Sequence, residues 1–191
     1  MLTELTLFPV NSVLYPGGLL TLRVIEPRHI SMVSDCTRNK KPFIVASLIE
    51  NTKDTGSASF NKIGTLAYIV DFDMSSMGIL EIRCRGRETA DIIRYRTEPG
   101  GLIIAQVKKL PLMKAFALPR KYQVLKDVLK SYTEREGMRR YKQELEEDWD
   151  NPDWLGYRLS EILPIDRQQH YELLIMKPLE RLCQIKKLLK K

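Results

Sequence analysis

The spacing of the apolar residues changes near residues 111–119, and this change constrains the fold more than any other feature of the sequence. Before it, apolar residues recur at every second position in short stretches separated by Gly, Pro and Asn, as is typical of strands. After it, they recur at every third or fourth position, as on one face of a helix. We therefore expect an α+β chain with two domains, a β-rich domain over residues 1–112 and an α-helical domain over 113–191.

Short apolar stretches predict the strands of the first domain. Residues 20–24 alternate between apolar and polar side chains, and residues 43–49 are nearly all apolar, which is typical of a strand buried on both faces. A third stretch alternates so that one face would carry Leu66, Tyr68, Val70 and Phe72. In a fourth, the side chains expected to face inward are Leu80, Ile82 and Cys84. A turn around Gly86 to Glu88 is predicted to end that strand.

Capping signals predict the helices. Pro27 suits a first helical turn, and this helix should end at Asn39, before the Lys-Lys-Pro run. In the second domain, Asn151 is predicted to cap a helix that Pro164 ends, and Asp166 with a Gln three residues later resembles a capping box. A last helix should start at Pro178. Short connections between such helices indicate a small antiparallel bundle.

The residue types that catalysis and metal binding require are scarce. The chain has two histidines, neither with a second histidine at metal-ligand spacing, and three cysteines without a CxxC pair. Neither a GxxxxGK[ST] phosphate loop nor a GxSxG nucleophile motif occurs. We therefore expect no enzymatic activity, no metal and no cofactor. The sparse cysteines and the lack of a long apolar run predict a cytoplasmic protein without a membrane partner.

The net charge of +7 and the pI near 9.3 raise the question of nucleic-acid binding. The excess is spread over both domains, which weakens that interpretation. One cluster stands out, comprising Arg83, Arg85, Arg87, Arg94 and Arg96. Acidic residues interleave with these arginines, so a solvated, ion-paired sheet face is the favoured interpretation. Two alternatives stay open, a site for an anion or nucleic acid with Tyr95 available for stacking, and a protein interface.

Several sequence blocks resemble the N-terminal substrate-binding domain family of Lon proteases. They are LFPV at 7–10, VLYPGG at 13–18, LRVIEPR at 22–28 and IGTLAYI at 63–69, and the helices from 154 and 173 onward are similar to the family's C-terminal helices. The resemblance implies a mostly antiparallel β pseudobarrel related to the PUA fold, containing one helix and followed by an α-helical bundle. A full Lon protease adds an ATP-driven unfolding module and a Ser-Lys protease module, and neither is expected in these 191 residues.

The same resemblance implies a non-enzymatic module that recognises exposed apolar or unfolded polypeptide segments. Its expected partners are protein or peptide segments, with a separate protease or unfolding machine as a further candidate. RNA binding through a basic face is the alternative, since PUA-related barrels include RNA-binding members. We expect the binding surface to lie where the sheet meets the helices. The candidate binding residues are Arg28, Arg83, Arg85, Arg87, Met113, Phe116 and Trp154.

Overall fold

The computed structural model describes residues 2–49, 59–76, 78–111 and 116–190. The chain divides into two compact units, residues 1–112 and 113–191. None of the described helices is both long enough and apolar enough to cross a bilayer. Of the candidate binding residues, Met113 lies outside the described residues.

The described residues of unit 1 form six strands and one helix. They are β1 (Leu2–Val10), β2 (Leu19–Val24), α1 (Pro27–Asn39), β3 (Phe43–Ser47), β4 (Ile63–Met74), β5 (Leu80–Thr97) and β6 (Ile103–Lys109). The strand order is β2-β5-β4-β3-β1-β6, and β6 also pairs with β5, so five strands close into a ring and β2 extends it. Among these described strands, β1 and β3 are the one parallel pair, and the other pairs are antiparallel. The predicted mostly antiparallel pseudobarrel with one helix is confirmed.

Two apolar clusters account for the stability of this unit. One draws only on the five ring strands and fills the barrel, with Leu7, Ile44, Leu66, Ile92 and Val107 among its members. The other lies between α1 and the opposite faces of the strands, and includes Phe8, Leu22, Val33, Phe43 and Ile82. Every residue of β3 is buried, as its nearly continuous apolar sequence predicts. The bounds predicted for α1 are confirmed as well.

The turn predicted at Gly86 is wrong, because β5 runs through this position without a break. Gly17 N donates to Gly86 O (2.8 Å) and Gly86 N donates to Gly18 O (2.9 Å), so the loop before β2 packs directly on the middle of β5. A side chain at Gly86 would collide with the carbonyl oxygen of Tyr15. This glycine therefore permits a close approach of two backbone segments and does not mark a turn.

Unit 2 is a helical bundle, as predicted. Its helices are α2 (Val124–Thr133), α3 (Arg139–Glu144), α4 (Pro152–Ile162), α5 (Arg167–Ile175) and α6 (Pro178–Leu188). Asn151 Oδ1 accepts from the backbone N–H of Asp153 (2.9 Å), and the capping box of Asp166 with Gln169 is present, which confirms both predicted caps. The core includes Leu125, Leu129, Leu155, Leu159, Leu182 and Ile185.

Candidate functional site

The hairpin of β4 and β5 extends beyond the strand that borders it. On one side, β3 pairs with β4 only as far as Ala67, whereas on the other side β4 pairs with β5 as far as Met74. Within the described part of the chain, no strand pairs with β4 beyond Ala67 on the side away from β5. Residues 68–74 therefore form an edge that no described strand covers, which we call the open edge of β4, and backbone groups at such an edge are accessible to another chain.

Strand pairing aligns apolar residues of β2, β5 and β4 in three rows on one face of the sheet. The rows are Leu20–Cys84–Ile69, Leu22–Ile82–Phe72 and Val24–Leu80–Met74. Their β2 and β5 members are buried or half-buried, whereas Phe72 and Met74 are each 59% exposed. The face that forms the core thus continues onto the open strand. We call Phe72 and Met74 the apolar edge of β4.

The face predicted for residues 66–72 is only partly correct. The register between β4 and β5 shifts between Thr65 and Ala67 and again between Ile69 and Asp71. Such irregularities turn the following side chains to the other face of the sheet. Tyr68 lies opposite Arg85, whereas Phe72 lies opposite Ile82, so these two aromatic residues point to opposite faces. The prediction that they share a face is wrong.

Two aspartates lie on the other face of the open strand and cover part of its backbone. Phe72 N donates to Asp71 Oδ1 (3.0 Å), and Met74 N donates to Asp73 Oδ1 (2.7 Å). Because Ser75 N donates across the hairpin to Ile79 O, the backbone groups of Phe72 and Met74 point away from β5. The two carboxylates therefore accept from the N–H groups that face the open edge.

The arginines predicted as binding residues have intramolecular partners. Arg83 Nη1 lies 3.3 Å from Asp71 Oδ2 and so holds that carboxylate beside the edge. Arg85 donates to Gly17 O (3.2 Å), and Arg28 donates to Gly101 O (2.6 Å). Each of these contacts joins elements of unit 1. Within the arginine cluster, Arg83 and also Arg96, which lies 2.8 Å from Glu4, therefore agree with the ion-paired interpretation.

Arg87 is exposed and lines an open depression of about 580 Å³. Gly17, Tyr68, Val70 and Glu88 also line it. The Lys109 ammonium, 2.8 Å from Glu88 Oε1, lowers the pKa of that carboxyl, so it stays ionised at neutral pH. The depression thus contains both a guanidinium, which attracts phosphate, and an ion-paired carboxylate, which repels it. This mixture of charges is not typical of a phosphate-binding surface.

The described candidates of unit 2 differ in exposure. Trp154 is 9% exposed and packs edge-on against Trp149 with ring centroids 5.0 Å apart, so it belongs to the bundle core. Phe116 is 38% exposed. The apolar edge of β4 was not among the predicted residues. In the sequence, Phe72 and Met74 alternate with aspartates like the residues of any half-buried strand.

Burial shifts the pKa of several titratable residues in the described ranges. No group of three His, Cys, Asp or Glu side chains there has the proximity to hold a metal ion. Burial raises the pKa of Cys36 to about 11 and that of Cys84 to about 12, so both are thiols at neutral pH. Burial lowers the pKa of His29, whose ring packs 4.4 Å from that of Phe8.

Comparisons with known proteins agree with this architecture. The structure is similar to the crystal structure of a Lon N-terminal domain protein from Xanthomonas campestris, with a TM-score of 0.78 and 31% identity over 97% of this chain and 98% of that chain. The N-terminal domain of the Mycobacterium avium complex Lon protease has a similar fold, with a TM-score of 0.70 and 16% identity over 97% of each chain. A search among curated proteins found no match. The model of the ATP-dependent protease La (LON) substrate-binding domain matches residues 4–191, and the chain belongs to this family.

Proposed function

We propose that this protein binds exposed apolar segments of other polypeptides and that the apolar edge of β4 is the contact surface. The family's description as a substrate-binding domain of a protease supports a protein-binding role. The observation that carries the proposal is the exposure of Phe72 and Met74 on a face that is otherwise core. Large apolar side chains that continue a core face onto an open strand are typical of an interaction surface.

The size of this surface predicts weak binding by apolar contact alone. Burying Phe72 and Met74 contributes about 2 kcal/mol each. Association costs about 4 kcal/mol or more, which offsets that gain. Useful capture therefore requires further contacts along the strand, or several copies acting on one partner.

The structure does not favour the RNA alternative. Arg83 and Arg96 form ion pairs with Asp71 and Glu4, and Arg85 donates to a backbone carbonyl. A phosphate backbone would have to compete with these partners. The dependence of the affinity on salt concentration distinguishes the two functions. Binding through phosphate contacts weakens steeply as the salt concentration rises, whereas binding through apolar contacts changes little.

A double substitution, Phe72→Ser with Met74→Ser, tests the contact surface. We expect it to lower the affinity for a reduced and carboxymethylated protein at least tenfold, because about 1.4 kcal/mol or more of apolar contact is lost. Binding is measured by surface plasmon resonance at low and high salt. Both residues are exposed, so the melting temperature should change little.

The matched control is Val124→Ser with Ile175→Ser, which removes two apolar residues of similar exposure from unit 2. Its affinity should equal that of the unsubstituted protein. Equal affinity of the Phe72/Met74 variant, or binding that disappears at high salt, would contradict the proposal.

A further inference from the structure

We propose that the bound polypeptide adds a strand to the open edge of β4, with apolar residues beside Phe72 and Met74 and basic residues beside Asp71 and Asp73. The inference rests on the proposed function and specifies the class of polypeptide recognised. It follows from three features of this edge: the direction of its backbone groups, the carboxylates that cover them, and the local charge.

Backbone direction makes strand addition geometrically available. The N–H and C=O groups of Phe72 and Met74 point away from β5, and no described strand pairs with them. An added strand places its side chains alternately on the two faces. One set then extends the apolar rows that end in Phe72 and Met74, and the other set lies next to the aspartates. Main-chain hydrogen bonds supply the affinity that two apolar side chains lack.

The aspartates make the edge selective. Their carboxylates accept from the two N–H groups that a new strand must reach. A strand with acidic side chains offers these carboxylates no new partner and adds like-charge repulsion. A strand with Lys or Arg beside Asp71 and Asp73 offers them an ion pair, so that they can release the N–H groups to the incoming carbonyls.

Local charge at this end of the hairpin also favours a basic partner. Residues 71–74 and the positions that pair with them carry three carboxylates, Asp71, Asp73 and Glu81, and two arginines, Arg83 and Arg23, which pair with Asp71 and Glu81. The chain as a whole is +7. The positive net charge of the whole chain therefore attracts acidic peptides, whereas the carboxylates of this edge attract basic ones. A measured preference for a basic peptide reports on the edge itself.

A second copy of this chain is a poor occupant of the edge. Antiparallel pairing of two β4 strands would bring Asp71 and Asp73 next to the same residues of the copy. Like charges on neighbouring strands destabilise a sheet. The two aspartates thus discourage self-association through an edge that is otherwise prone to it.

Short labelled peptides test the inference by fluorescence anisotropy. The probes alternate Leu with Lys or Leu with Glu, and the Leu/Lys peptide is also made in two forms, each N-methylated at one set of alternate amides. We expect Leu/Lys to bind at least tenfold more tightly than Leu/Glu. One methylated form should lose at least tenfold in affinity and the other should not, because alternate amides of an added strand face β4 and solvent.

Protein variants assign the charge preference to the edge. Asp71→Asn with Asp73→Asn should reduce the ratio of the Leu/Lys and Leu/Glu affinities to less than about threefold, since amide oxygens still accept from N–H but attract no cation. The control Asp127→Asn, at an exposed position of α2, should keep the full ratio.

The outcomes separate this inference from the proposed function. Equal binding of the Leu/Lys and Leu/Glu peptides, or equal effects of the two methylation patterns, overturns strand addition while apolar capture stands. The same conclusion follows if no peptide binds but an unfolded protein still does, through Phe72 and Met74. Failure of the peptides and the unfolded protein alike overturns both.

Discussion

Replacing Arg181 by Met is expected to lower the free energy of unfolding of unit 2 by about 3–5 kcal/mol. The Arg181 guanidinium is 1% exposed, and it donates to Leu173 O (2.7 Å), Met176 O (2.6 Å) and Asp153 Oδ1 (2.7 Å). It also lies 3.7 Å from the centroid of the Tyr157 ring. Methionine fills similar space but leaves the carboxylate and the carbonyls at the end of α5 without donors.

Tryptophan fluorescence during urea denaturation measures this effect, because both tryptophans of the chain, Trp149 and Trp154, lie in unit 2. The matched control is Arg140→Met, since Arg140 is 73% exposed and pairs with Glu144 on the same helix. The control should change the free energy of unfolding by about 0.5 kcal/mol or less. Equal effects of the two substitutions would contradict a structural role for the buried guanidinium.

Gly86→Ala is expected to lower the free energy of unfolding of unit 1 by about 3 kcal/mol. The added Cβ would overlap the Tyr15 carbonyl oxygen, and it would also approach Thr65 Cγ2 at 3.0 Å and Leu14 Cγ at 3.1 Å. The obstacle is backbone, which cannot move aside like the end of a flexible side chain. To relieve the overlap, the loop must withdraw from β5 and lose its two hydrogen bonds to Gly86.

Hydrogen exchange of the β5 amides in increasing urea measures this loss within unit 1. Gly100→Ala is the control, because a Cβ there meets no atom within 4 Å. The control should leave the exchange of β5 unchanged. Stability of the Gly86 variant equal to that of the control would show that the loop does not need this close approach.

The helices were predictable because their signals are local. Pro27 and the Lys-Lys-Pro run define the ends of α1 within a few residues of sequence, and the capping box of Asp166 and Gln169 lies within one turn. Alternation likewise predicted the inward side chains of the first half of β5, where Ile82 and Cys84 are buried. Such patterns need no knowledge of distant residues.

The errors concern contacts between residues far apart in the sequence. Gly86 has the local appearance of a turn, and only the loop at Tyr15 explains why a strand passes through it. The apolar edge of β4 depends on where β3 stops pairing, at Ala67, and on the register shift after Ile69. Neither feature leaves a periodic signal in the sequence.

The electrostatics of the candidate site also depends on contacts between residues far apart in the sequence. The arginine cluster has the appearance of a basic patch in the sequence, but its partners include Glu4, which is 92 residues from Arg96. In the sequence, Asp71 and Asp73 look like ordinary solvent-facing residues of a half-buried strand, and nothing marks them as binding residues. Their proposed role depends on the unpaired backbone groups beside them, which only the strand pairing shows.

Hydrogen exchange with and without a reduced and carboxymethylated protein tests the central claim most directly, because it locates the contact without any substitution. We expect slower exchange at the amides of residues 68–74 in the presence of this partner, with α2 unchanged. Unchanged exchange at 68–74 together with protection elsewhere in the chain would contradict the claim that β4 binds polypeptides.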